Sequence, residues 1–256
     1  MDTRKFKNFL AQIFFPNSFT CDICGVETFK TNLCPDCAKT VEFIGETCCP
    51  VCGRKTVRPE ICLECKEKPP LFKKAISAFV YENGGIILVK KFKNNNGYLK
   101  EYFADLLSQK IKNLPAADCI VYVPMTKKAQ RARGYNQGEL LAYSLSKRIN
   151  IPVIKNALKK TKETDQQKLL GKQERQKNIS GCFSVEKPEE IKGKNVLLAD
   201  DVMTTGVTAE EITKVLLSAG AANVYTAAVA SVEYKIVKTE NASDIKNKKD
   251  VPHSRA

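Results

Sequence analysis

Eight cysteines in register constrain this chain more than any other feature. Cys21-x-x-Cys24 and Cys34-x-x-Cys37 recur as Cys49-x-x-Cys52 and Cys62-x-x-Cys65, at a constant offset of 28 residues. A C-x-x-C pair on a tight turn offers two thiolates to one ion, and two such turns build the tetrahedral sulfur cage that zinc prefers. Gly25 and Gly53 each follow the second cysteine of a pair, where a knuckle turn calls for positive φ. Each repeat supplies four protein ligands and leaves no open position, so the sites read as structural zinc rather than catalytic zinc. The competing reading is a set of buried free thiols or a redox pair. Spacing leaves open whether each repeat closes its own site or the pairs interleave. Cys48, Cys119 and Cys182 lie outside the repeat and receive no ligand role.

The rest of the chain divides around this module. Residues 1–16 read as an amphipathic helix, with Phe6, Phe9, Leu10, Ile13 and Phe14 on one face and Pro16 as its stop. That face packs on the protein or docks on a partner or membrane surface. Residues 17–68 hold the double cysteine module, 75–231 form an α/β domain, and 232–256 are a polar tail expected to be disordered. Apolar runs at 76–81, 119–123, 196–199 and 224–230 predict strands. Helical spacing marks 97–114, 139–149 and 208–219. Continuous apolar strands separated by helices argue for a buried parallel sheet.

Composition removes several classes. No apolar run approaches the roughly 18 residues of a membrane span, and no secretory signal is read at the N-terminus, so a cytoplasmic location is expected. The single histidine, His253, lies in the polar tail. A histidine base in a folded site and histidine metal ligands are thereby excluded. The formal net charge of +14 suits a polyanionic partner.

The strongest chemical signal is the stretch 196–208. An apolar strand delivers Asp200 and Asp201 to its C-terminal end, followed by Val202, Met203, Thr204, Thr205, Gly206, Val207 and Thr208 before a helix. Such a loop aims backbone N–H groups, hydroxyls and a helix dipole at one anion. Two acids beside it make sense if they hold sugar hydroxyls or a divalent cation. The plainer alternative is that one of the threonines only caps the helix. After the strand at 119–123, Lys127, Lys128, Arg131 and Arg133 place four cations within seven residues, suited to a pyrophosphate or to a solvated basic loop. Residues 159–177 carry seven Lys/Arg against three acids and read as a mobile loop able to close over an anion.

The 196–208 stretch resembles the signature of type I phosphoribosyltransferases. Arg133-Gly134-Tyr135-Asn136-Gln137 and Thr164, Gln167, Leu170, Arg175, Asn178 and Phe183 are similar to segments of the ComF family. The resemblance also takes in the double cysteine module and runs from about residue 5 to residue 231; Met125, Thr126 and Tyr135 depart from it without changing a charge. It implies a parallel-sheet type I phosphoribosyltransferase fold preceded by a zinc ribbon, with Mg²⁺ and phosphoribosyl pyrophosphate as ligands. Asp200 and Asp201 would hold the ribose hydroxyls, and Met203 to Thr208 the phosphate. Lys127, Lys128 and Arg133 would stabilise the pyrophosphate, Lys128 and Arg133 joining the two acids as the catalytic set. The implied process is DNA uptake in natural transformation, with single-stranded DNA, a helicase and a recombination mediator as partners. The alternatives are an orphan phosphoribosyltransferase of nucleotide metabolism and a non-catalytic, ligand-sensing DNA-binding protein. No nucleophile for a glutamine-hydrolysing module is evident.

Overall fold

The computed structural model describes residues 20–28, 31–94, 96–162 and 178–234. The proposed N-terminal helix, most of the basic loop 159–177 and the tail beyond residue 234 lie outside the described residues. The apolar runs form a four-stranded sheet of β1 (Lys74–Val80), β2 (Cys119–Tyr122), β5 (Asn195–Met203) and β6 (Asn223–Ser231). Its order is β1-β6-β5-β2, and every pairing is parallel. Val153 extends the far edge through a parallel bridge to Ile120. A short antiparallel hairpin, β3 (Leu158–Lys160) with β4 (Phe183–Val185), stands apart from the sheet.

Both sheet faces are covered, which is why the strands read as unbroken apolar runs rather than alternating ones. One face packs on α3 (Asn83–Lys93), α4 (Leu99–Ile111) and α6 (Gln137–Ile149), through Phe92, Phe103, Leu107, Leu141 and Leu145. The rings of Phe79, Phe103 and Phe92 run in series at 5.8 and 5.2 Å between centroids. The other face packs on α8 (Val207–Ser218) and the hairpin, through Ile212, Leu216, Leu158 and Phe183. Short helices α1 (Pro35–Lys39) and α2 (Leu63–Glu67) belong to the cysteine module, α5 (Lys127–Arg133) follows β2, and α7 (Pro188–Ile191) precedes β5.

The cysteine module also closes the open side of β1. Residues 42–44 run antiparallel to it: Val80 N–H donates to Glu42 O, Ile44 N–H to Ala78 O, and Phe43 bridges Phe79. Ala75 N–H donates to Val51 O. An edge strand that would otherwise offer bare N–H and C=O groups is thus paired within the chain.

Besides α5, α7 and the hairpin, which the sequence reading did not assign, two differences bear on the site. Helix α3 was not expected, because its N-terminus carries Gly84 and Gly85, poor helix formers. The glycine is required there: a Cβ on Gly84 would lie 2.4 Å from Thr40 Oγ1. Strand β5 also runs on to Met203 rather than ending at residue 199, so both acids sit on the strand itself.

Candidate functional site

The loops after β2 and β5 leave the sheet toward opposite faces, β2 leading to α6 and β5 to α8. The gap between neighbouring strands whose connections diverge is where open α/β sheets bind ligands. A cleft of about 600 Å³ opens there, within the usual range for small-ligand sites.

Its floor is the end of β5. Neighbouring strand residues point to opposite faces, and the two acids find different surroundings. Asp201 faces α3 and pairs with Lys93, Nζ to Oδ2 at 3.1 Å. Asp200 Oδ1 accepts the Asp201 backbone N–H at 2.8 Å. Burial first, and then the charge of Asp201, push the Asp200 carboxyl up to about 8; Lys93 and the backbone N–H oppose the shift. Asp200 therefore largely keeps its proton at neutral pH.

One wall is the turn from β5 into α8. Gly206 is the N-cap at φ 76°, a left-handed conformation that disfavours any other residue, and as a glycine it brings no capping side chain of its own. The first N–H groups of a 12-residue helix face the cleft with their dipole behind them, beside Thr204, Thr205 and Thr208.

The opposite wall is built from β2 to α6. Thr126 caps α5 by accepting Ala129 N–H, and α5 ends at left-handed Gly134. Asn136 caps α6 and donates to Val123 O at 3.0 Å, tying the helix start to the strand end. Gly138 lets α6 begin against the sheet: a Cβ there would lie 3.3 Å from both Ala199 O and Val123 O. Arg133 donates to Gln137 Oε1 at 2.9 Å, which holds its guanidinium at the cleft. Tyr81, Lys160 and Phe183 complete the lining.

Of the residues singled out in the sequence, the structure brings Arg133, Asp200, Asp201 and Met203 through Thr208 together around this cleft. Lys127 and Lys128 are exposed on α5 and do not line it. Lys93, Tyr81 and Gln137 do line it and carried no site role in the sequence reading. Asn136 and Gln137 stood inside a recognised segment, whereas Lys93 sits at the end of the unexpected α3 and had no local signal.

The cysteine sets are resolved as well. Cys21, Cys24, Cys34 and Cys37 form one cluster, and Cys49, Cys52, Cys62 and Cys65 another, each with all its sulfurs within 4.8 Å of one another. Each repeat therefore closes its own site, and the pairs do not interleave. Cys24 to Cys34 and Cys52 to Cys62 are each separated by 3.8 Å between sulfurs. A regular tetrahedron with Zn–S bonds of about 2.3 Å has an edge of about 3.8 Å, so the cages fit structural zinc. The second cluster borders the wall formed by the turn from β5 into α8, since Cys52, Cys65 and Phe72 share a smaller hollow with Met203 to Val207. Leu71 N–H also donates to Glu210 of α8 at 2.9 Å.

Comparison with known proteins agrees with this layout. A family profile described as phosphoribosyl transferase domain matches residues 135–252, and one described as double zinc ribbon domain matches residues 10–66. Competence protein F of Haemophilus influenzae is 30% identical over 213 residues, covering 79% of this chain and 93% of that protein. DNA utilization protein YhgH of Escherichia coli O157:H7 is 28% identical over 213 residues, 80% of this chain and 86% of the relative. Among solved structures, glutamine phosphoribosylpyrophosphate amidotransferase from B. subtilis aligns at TM-score 0.36 and 16% identity, over 65% of this chain and 35% of that one.

Proposed function

This chain belongs to the competence protein F (ComF) family, and from that premise we propose that it binds phosphoribosyl pyrophosphate with Mg²⁺ and acts in the use of incoming DNA. One observation carries the ligand. A helix N-terminus with a glycine N-cap follows two acids at the sheet's divergence point, in a cleft also lined by Lys93 and Arg133. The amides of Gly206 to Thr208 take the ribose phosphate, as helix N-termini take anions. Asp200 and Asp201 accept from the ribose hydroxyls. Arg133, Lys93 and Lys160 face the pyrophosphate, whose charge Mg²⁺ shares when bound.

In a turnover reaction the bond from the anomeric carbon to pyrophosphate breaks as an acceptor adds. The sugar gains positive charge and the leaving group negative charge. The acids lie where the first needs stabilising and the cations where the second does. Binding requires Asp200 to ionise, so its proton is released as ligand and metal arrive.

The role in DNA use rests on the relatives and on charge. Lys127, Lys128 and Arg131 are exposed on α5, a helix with no acid, beside the cleft mouth. Their placement suits a phosphate backbone, held without strong sequence preference. A helicase and a recombination mediator would be partners in such a role. Among the described residues no helix is long and apolar enough to cross a membrane.

Calorimetric titration of phosphoribosyl pyrophosphate with Mg²⁺ tests the reading, followed by a pyrophosphate-release assay with and without single-stranded DNA. Binding without release makes the domain a sensor; release only with DNA makes DNA part of the acceptor. No heat and no protection by the ligand would end the proposal.

A further inference from the structure

The two cysteine sites share a backbone and differ in their surroundings. In both knuckles the glycine N–H donates to the first cysteine's carbonyl, Gly25 to Cys21 and Gly53 to Cys49, each at 2.9 Å. Cys21 N–H donates to Val26 O at 2.7 Å, and Cys49 N–H to Arg54 O at 2.9 Å. The duplication is thus intact in the main chain. Val26 and Arg54 occupy the same repeat position, and there the copies part.

Val26 is exposed and reaches no sulfur, whereas the Arg54 guanidinium is buried over the second cluster. It donates to Cys52 Sγ at 3.4 Å and to Cys62 Sγ at 3.9 Å. Glu64 holds it at 3.0 Å and the ring of Tyr234 lies 5.6 Å beneath it. All four sulfur ligands of this set belong to buried residues. In the first set Cys24 is exposed and Cys34 and Cys37 are half-buried. Beside this set Asp22 is buried and accepts from Asn32 and Tyr98 at 2.9 and 2.7 Å, and Lys91 Nζ donates to Ile23 O at 3.3 Å.

Four thiolates on one Zn²⁺ carry two surplus negative charges, and that charge makes the sulfurs nucleophilic. A guanidinium on the sulfurs draws density from them, and burial keeps reagents away. Exposure does the opposite. We propose that the first set, Cys21, Cys24, Cys34 and Cys37, is an oxidation-sensitive zinc site, and that Arg54 makes the second set resistant. The reagent class is a small two-electron oxidant such as hydrogen peroxide. Two thiolates, such as exposed Cys24 and Cys34 at 3.8 Å from it, give up two electrons and form one S–S bond. The peroxide O–O bond breaks, takes those electrons with two protons from solvent, and leaves as two waters. Cys21 and Cys37 alone would then be left to hold a bound zinc ion, too few ligands to keep it.

The test uses the full zinc-loaded chain, titrated with peroxide while a chromophoric chelator reports free zinc and alkylation with peptide mass mapping locates oxidised cysteines. One equivalent of zinc is expected first, with the disulfide among residues 21–37, and the second roughly tenfold more slowly. Simultaneous release, or disulfides appearing first among residues 49–65, overturns the proposal. Arg54→Met should bring the second release close to the rate of the first; an unchanged rate in a folded variant removes Arg54 from the explanation. Should Arg54→Met fail to fold, Arg54→Lys keeps the charge but loses the fork that spans two sulfurs. It is expected to release the second zinc faster than the wild type, and an unchanged rate counts against Arg54 in the same way.

Discussion

Replacing Asp200 by Asn should stabilise the folded protein while destroying its ligand site. In the folded chain this carboxyl is pushed from 3.8 up to about 8 by burial and by Asp201. Between those values the folded chain keeps a proton that the unfolded chain has released. Stability of the wild type therefore falls as pH rises through this window and levels off above about 8. Each unit of displacement corresponds to about 1.4 kcal/mol. The displacement from 3.8 to about 8 thus sets a ceiling of roughly 6 kcal/mol, which water in an open cleft reduces to about 1–3 kcal/mol. The Asn side-chain oxygen still accepts the Asp201 N–H, so no partner is orphaned. For a domain of this size the gain appears as a rise of roughly 3–10 °C in melting temperature. Thermal unfolding of wild type and Asp200→Asn should be followed from about pH 5.5 to about pH 8.5, where the gap should widen with pH. A variant that melts lower than the wild type, or a gap that narrows as pH rises, would show that the carboxylate supports the fold and that its desolvation is misjudged.

Other outcomes follow from the same geometry. Calorimetry of phosphoribosyl pyrophosphate binding in buffers of different ionisation enthalpy should reveal release of close to one proton near neutral pH, because Asp200 must ionise; zero release contradicts the protonated state. Arg133→Ala or Lys93→Ala should weaken that binding by roughly 10–100-fold each, as loss of one charge-assisted contact does, with circular dichroism unchanged. Lys127→Glu with Lys128→Glu and Arg131→Glu should flatten the salt dependence of single-stranded DNA binding yet leave small-ligand affinity within about twofold, since Lys127 and Lys128 lie outside the cleft. Metal analysis of reduced, dialysed protein should find about two zinc ions per chain. Their chelation should raise amide exchange in α3, which is anchored to the first module by Gly84 N–H on Thr40 O and Lys91 on Ile23 O.

The sheet was legible because burial on both faces leaves continuous apolar runs, and no other common arrangement writes that pattern. The acids and the loop were legible for a related reason: strand, carboxylates, glycine and helix are adjacent in sequence, so the geometry is local. Lys93 was not. It reaches the site through a helix whose first turn holds two glycines, chosen for close contact with Thr40 and Val80 rather than for helix propensity. Nothing in its own neighbourhood announces Asp201 as a partner. The exposure of Lys127 and Lys128 was equally hidden, because the phase of a seven-residue helix decides which cations face inward, and four cations within seven residues leave that phase undetermined. Interleaved and separate cysteine pairing give the same spacing, so only the folded chain could separate them.

The pairing of residues 42–44 with β1 has a consequence for assembly in time. During synthesis the cysteine module leaves the ribosome before any strand of the sheet. Its loops are closed by metal over short sequence distances, a quick local event compared with parallel pairing of strands well over a hundred residues apart. Once closed, it presents a ready backbone template on which β1 can align while β6 has yet to be made. The vulnerable interval of an unpaired, apolar first strand is then shortened by metal binding, and synthesis in zinc-depleted medium is expected to raise the insoluble fraction of the chain.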